Sequence, residues 1–60
     1  MKFVYHNGKG VNLSMVFKFE LRTDFRLPRI SFINKKRVVL DYFEFEEKVD
    51  AQRFIFEKLI

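Results

Sequence analysis

Apolar and polar residues alternate through Val11–Arg22, "VNLSMVFKFELR". One row reads Leu13, Met15, Phe17, Phe19, Leu21. The other reads Asn12, Ser14, Val16, Lys18, Glu20, Arg22. A period of two marks a half-buried β-strand, so residues 11–22 are expected to form one long strand with the first row on the core. Upstream, "FVY" is joined to it by "HNGKG", His6–Gly10. Asn-Gly is the strongest short hairpin signal, because both positions tolerate positive φ. Residues 2–6 are therefore expected to pair with residues 11–22, the longer strand lying centrally in the sheet.

Pro28 interrupts the next pattern. It lacks an N–H and pushes Leu27 toward extended backbone, which suits a loop or the first residue of an edge strand. "RISFIN", residues 29–34, reads as a third strand, and "NKKR" as a polar turn. Residues 37–45, "RVVLDYFEF", are rich in β-branched and aromatic residues and read as a fourth strand. Val38, Leu40 and Tyr42 fall on one face and Val39, Phe43 and Phe45 on the other, the pattern of a strand covered on both sides.

The period changes over residues 47–59. Glu46, Glu47 and Asp50 suit a helix N-terminus, where the dipole is positive, and Lys58 suits the other end. At 100° per residue, Val49, Ile55, Phe56, Leu59 and Ile60 share a side with Gln52, and Ala51 borders it. Asp50, Arg53 and Glu57 lie opposite, with Phe54 among the charges. The expected architecture is α+β, one small domain over residues 1–60, in the order β-β-β-β-α. A four-stranded antiparallel sheet carries one C-terminal helix packed on one face. The Phe17 row faces that helix, joined by Ile30 and Phe32 and by either Phe3 with Tyr5 or Val4.

Length and composition sharpen this picture. Sixty residues bury only about 60% of the surface their unfolded chain exposes, so a lone core is marginal. Cysteine is absent and histidine occurs once, which excludes disulfides, thiolate metal sites and a multi-histidine zinc site. A dense apolar core or self-association remains. Nine phenylalanines serve either, each buried ring removing about 150–250 Å² from water. A homodimer is accordingly expected, with Phe54, Val39 and Phe43 at its interface, since these apolar residues exceed what one covered sheet face needs. No apolar run reaches the about 7–15 residues of a secretory signal or the about 20 of a membrane span. A cytoplasmic protein without a membrane partner is expected.

Charge adds a direction. Residues 1–40 hold nine Lys/Arg against two Asp/Glu, a net of +7; residues 41–60 hold three against six, a net of −3. A basic front and an acidic tail point toward a polyanion partner. With the helix on the Phe17 side, Lys18 and Arg22 lie on the open face, joined by Arg29. Lys9 at the hairpin tip and Lys35, Lys36 and Arg37 at the turn form its rims. Sheet-based DNA readers place strands in the major groove, where Arg and Lys reach phosphates and guanine edges. Lys18, Arg22 and Arg29 are the expected central contacts, with Lys9, Lys35, Lys36 and Arg37 on phosphates.

The order of elements over residues 13–60 resembles that of sheet-plus-helix DNA-binding modules, namely plant AP2-type domains and the arm-binding domains of phage and transposon integrases. "RVVLDYFEFEEKVDAQRF" echoes the AP2-type passage from last strand to helix. That resemblance implies DNA contact through the open sheet face. The Gly and Trp positions that mark those domains are absent, and the chain is not assigned to them.

Little points to catalysis. A nucleophile needs an adjacent base and an orienting group, and the two serines sit in no distinctive motif. Glu44, Glu46, Glu47 and Asp50 lack the spacing and glycine turn of a calcium loop, and there is no glycine-rich phosphate loop. No enzyme, cofactor or metal is expected. Phe17 and Phe19 are expected in the core rather than stacked on bases, Tyr42 is the alternative platform, and His6 reads as a solvated turn residue. The expected function is non-enzymatic nucleic-acid binding, DNA first. The alternative is a compact protein–protein adaptor or inhibitor of the phage or mobile-element kind.

Overall fold

The computed structural model describes residues 2–60. Strands β1 (Phe3–His6) and β2 (Lys9–Asn12) form the expected hairpin, with Val4 opposite Val11 and His6 opposite Lys9. Its turn residues, Asn7 and Gly8, both have positive φ, 50° and 79°. This is the conformation for which Asn-Gly is suited.

The long alternating segment is not one strand. β2 ends at Asn12, a 3₁₀ turn occupies Leu13–Met15, and β3 begins afresh at Lys18 (Lys18–Arg22). The break is local. Asn12 Oδ1 accepts the Ser14 N–H at 3.0 Å and the Ser14 hydroxyl at 2.7 Å. An Asn side chain bonding two residues ahead offers the backbone an alternative to the sheet ladder. The chain therefore leaves one sheet and enters another. Val16 packs against the core, while Met15 and Phe17 remain exposed.

β3 pairs antiparallel with β4 (Arg29–Ile33), and β4 with β5 (Val39–Glu44). The result is two sheets, of two and three strands, in place of a single four-stranded one. The short β4 is the central strand of the larger sheet, and every residue from Ile30 to Ile33 is buried. Between β4 and β5 the register slips: Phe32 faces Asp41, yet Ile33 faces Val39. Leu40 is the extra residue. A bulge changes which face the residues on either side of it occupy, so Val39 shares a face with Tyr42, not with Phe43.

All layers meet in one cluster. Val4, Val11, Ile30, Phe32, Phe43, Phe45 and Ala51 are buried together, with Leu13, Val16, Phe19 and Leu21 packed against them. The Phe32 and Phe43 rings meet edge to face at 5.0 Å. Ile30, Phe32 and Val4 thus join the core as expected, while Phe3 and Tyr5 stay outside.

Helix α1 (Lys48–Phe54) runs into a π-helical turn, Ile55–Leu59. Its packed side is rotated from the expected one. Ala51, Phe54, Ile55 and Leu59 face the core; Val49, Phe56 and Ile60 face outward. Two apolar stripes compete on so short a helix, and the stripe with Ala51 lets the backbone approach the Phe rings most closely. Ala51, Phe54 and Ile55 follow the i, i+3, i+4 rule. An unbroken α-helix would bring Lys58 next onto that side. The wider turn, closed by the Ile60 N–H donating to the Ile55 carbonyl at 3.0 Å, carries one more residue and brings Leu59 instead.

Phe32→Ala should cost about 3–5 kcal/mol. Stability of roughly 0.05–0.15 kcal/mol per residue leaves little beyond that, so the variant should lose its cooperative urea transition. Phe17→Ala should stay within about 0.5 kcal/mol of the parent. Circular dichroism melts of the two variants check the assignment of core and surface.

Candidate nucleic-acid interface

The face of the larger sheet opposite the core carries Lys18, Glu20 and Arg22 from β3, Arg29, Ser31 and Ile33 from β4, and Val39, Tyr42 and Glu44 from β5. Its two ends differ in charge balance.

At one end, Arg22, Arg29 and Glu44 lie side by side in register. Phe25, from the loop after β3, closes over them. The Arg29 guanidinium lies 3.9 Å from the ring centroids of both Phe25 and Tyr42, and its Nη2 donates to Glu44 Oε2 at 3.3 Å. Only 19% of this side chain is exposed. A planar cation between two aromatic faces gains attraction from both ring quadrupoles. Arg22 is held by Asp24, its Nε donating at 3.1 Å and its Nη2 at 2.8 Å. Those hydrogen bonds hold the Asp24 carboxyl below the usual carboxylate range. Lys9 is also engaged. Its Nζ is 3.4 Å from Asp41 Oδ1, donates to the Tyr42 carbonyl at 3.2 Å, and lies 4.2 Å from the Tyr42 ring. Lys9 therefore ties the hairpin to β5 rather than standing at a free tip.

The other end is formed by the β4–β5 turn and the start of β3. Asn34 Oδ1 accepts the Lys36 and Val38 N–H groups at 2.9 and 3.0 Å. The Arg37 N–H donates to the Asn34 carbonyl at 3.0 Å. This closure holds Arg37 at φ 64°, an uncommon conformation outside glycine. Lys35, Lys36 and Arg37 are exposed, and none of the three lies in an ion pair among the described residues. Lys18 stands beside them, 3.7 Å from Glu20 in an exposed pair of the kind that contributes little. A shallow depression of ≈ 580 Å³ runs between Phe17, Lys18, Glu20, Ile33, Lys35, Arg37 and Val39, three cations against one carboxylate. Phe17 also borders a second one, of ≈ 450 Å³, shared with Met15, Asn34, Lys35 and Lys36.

The seven basic residues expected on the open face thus separate. Lys9, Arg22 and Arg29 are bound into the structure, while Lys18, Lys35, Lys36 and Arg37 gather at one end. Of the expected interface residues, Phe43 is buried in the core and Phe54 packs on Phe43 and Phe45 at 5.5 Å. Val39 is exposed, beside the basic end. Tyr42 is occupied by Arg29 and Lys9. His6 is not a solvated turn residue. Its ring stacks on Phe45 at 4.2 Å, and its Nε2 lies 3.0 Å from the Glu44 carbonyl, which can only accept. Phe17, expected in the core, is 64% exposed. The signal that could have placed it is Asn12 followed by Ser14, a local turn former inside an otherwise regular alternation.

Among the described residues, no group of three His, Asp or Glu is placed to hold a metal ion, and no helix is long and apolar enough to cross a membrane. No family model matches the chain, and no curated protein or solved structure matches it either.

Arg29→Ala should destabilise the protein by about 1–3 kcal/mol through lost stacking and packing, and Arg29→Lys by about 1 kcal/mol, since an ammonium cannot lie flat between two rings. Lys35→Ala and Lys36→Ala should stay within about 0.5 kcal/mol. Urea titrations of the four variants separate the structural cations from the free ones. The Arg22–Asp24 pair should show in the pH dependence. The Asp24 carboxyl is depressed below its ordinary value of 3.8, so its contribution is present above that pH and lost as pH falls through the depressed value. Melting temperatures of the parent and Asp24→Asn should therefore converge in that acid range.

Proposed function

We propose that this chain is a small, non-enzymatic nucleic-acid-binding protein that grips phosphates with the basic end of its three-stranded sheet. One observation carries the reading: Lys18, Lys35, Lys36 and Arg37 border adjoining depressions that Glu20 alone among carboxylates lines, and three of the four lie in no ion pair among the described residues. Four cations gathered about one carboxylate leave a net positive charge, which raises the local potential and attracts a polyanion. Each phosphate neutralised releases condensed counterions, which is the main source of sequence-independent affinity. Arg22 and Arg29 contribute less, because Asp24 and Glu44 already oppose their charge. The contact surface is accordingly one end of the open face, not the whole of it.

A second reading is a compact protein-interaction adaptor or inhibitor, self-association included. It is favoured by the outward stripe Val49, Phe56 and Ile60 on the helix, with Phe56 at 77% exposure. An apolar contact there would respond weakly to salt, whereas phosphate contacts respond steeply.

Fluorescence anisotropy with labelled DNA at about 50 and 200 mM salt tests the first reading. Four phosphate contacts should weaken binding about 50- to 150-fold across that range. Lys35→Glu with Lys36→Glu should abolish binding at the lower salt, while Arg22→Gln should change affinity less than about threefold. Absence of binding at the lower salt would remove the reading. In that case sedimentation of the parent against Phe56→Asp would decide whether the helix stripe joins two copies.

A further inference from the structure

We infer that the basic end binds single-stranded nucleic acid, with the Phe17 ring as a stacking platform for an unpaired base. This rests on the phosphate-binding reading above and narrows it to one class of ligand.

The ring is exposed and stands on an anchored backbone. Phe17 follows Val16, which packs against the core, and precedes Lys18, the first residue of β3. Its own N–H donates to the Ile33 carbonyl at 2.8 Å, which pins the backbone to the end of β4. The side chain thus projects from a backbone anchored on both sides of it. Depressions lie on two sides of it. Lys36 lines one, Lys18 and Arg37 line the other together with Glu20, and Lys35 borders both. A strand crossing the ring has cations for its backbone before and after the stacked base.

The chemistry of phenylalanine selects the form of the polyanion. Phe has no hydrogen-bonding group, so in a groove it can touch a thymine methyl but cannot read the donor and acceptor pattern of a base edge. It offers a π-face, and in a duplex the faces of the bases are already covered by their neighbours. An unpaired base leaves its face free, and because every base has one, such stacking tolerates sequence. DNA and RNA strands share this chemistry.

The test uses labelled oligonucleotides of about 12 nucleotides, within the span one small domain covers: oligo-dT, oligo-rU and a hairpin duplex, read by anisotropy at about 50 mM salt. Either single strand should bind at least about fivefold tighter than the duplex. Phe17→Leu, which keeps an apolar side chain without the ring, should weaken the strand about 5- to 100-fold and leave the duplex unchanged. Because the chain contains no tryptophan, Phe17→Trp gives a direct reporter. It should retain affinity, with its indole emission quenched as strand is added. A melt of each variant confirms that the fold is intact. Equal binding of strand and duplex, or unchanged strand affinity in Phe17→Leu, overturns the platform while the phosphate reading stands. Failure of all three oligonucleotides to bind removes both.

Discussion

Ile30 and Phe32 on the central strand are the two side chains around which the other elements are arranged. Both are fully buried, and β3, β5, the hairpin and the helix contribute their apolar residues to the same side. A chain of sixty residues has enough apolar material for one such layer. The face behind it is therefore left to other interactions, and this constraint shapes the protein's exterior as much as its interior. Packing is dense where it occurs. Phe43 touches Phe32 at 5.0 Å and Phe54 at 5.5 Å, and the His6 ring joins the same group through Phe45. With no cysteine for a disulfide, the chain depends heavily on aromatic burial for its stability.

The face without a core solves its exposure problem with cations. Arg29 lies between Phe25 and Tyr42 and covers sheet surface with its methylene stem, as amphipathic side chains do. Lys9 does related work at the seam between hairpin and β5. These residues are basic by composition but structural by position. A count of lysines and arginines cannot tell them from Lys35, Lys36 and Arg37. The distinction comes from where carboxylates and rings happen to lie: Asp41 and Glu44 pair with Lys9 and Arg29, as Asp24 does with Arg22, while the second group lies in no ion pair among the described residues.

Much of the fold was legible in the sequence because it is written in short-range signals. Asn7-Gly8 announced the hairpin, Pro28 the entry to β4, and the change of period after Phe45 the helix. What could not be read follows from single residues that change a phase. Asn12 diverts the backbone into a 3₁₀ turn and divides one long alternation between two sheets. Leu40 adds a bulge and re-sorts Val39 with Tyr42. The helix packs on its Ala51 stripe, with Phe54 inward and Phe56 outward, and the π-helical turn then shifts that stripe by one residue, from Lys58 to Leu59. Periodicity assumes an uninterrupted count, and each of these residues resets it. The basic end of the site was visible as "NKKR", but its separation from Arg22 and Arg29 depends on tertiary pairing that no local pattern encodes.

The break at Asn12 also links the fold to the surface feature that most invites a ligand. Had residues 11–22 remained one strand, Phe17 would lie under the helix with Phe19 and Leu21, and Val16 would face water. The local Asn12–Ser14 bonds exchange the two, burying the smaller Val16 and exposing the larger ring. By apolar area alone this exchange is unfavourable, since a buried phenylalanine removes more surface from water than a buried valine. It is tolerated because β2 must end to let the hairpin fold over Ile30 and Phe32, and Val16 fits the space remaining beside them. The exposed ring then stands at the same sheet end as Lys18, Lys35, Lys36 and Arg37. The turn that completes the core is therefore also what assembles an aromatic surface next to a positive one.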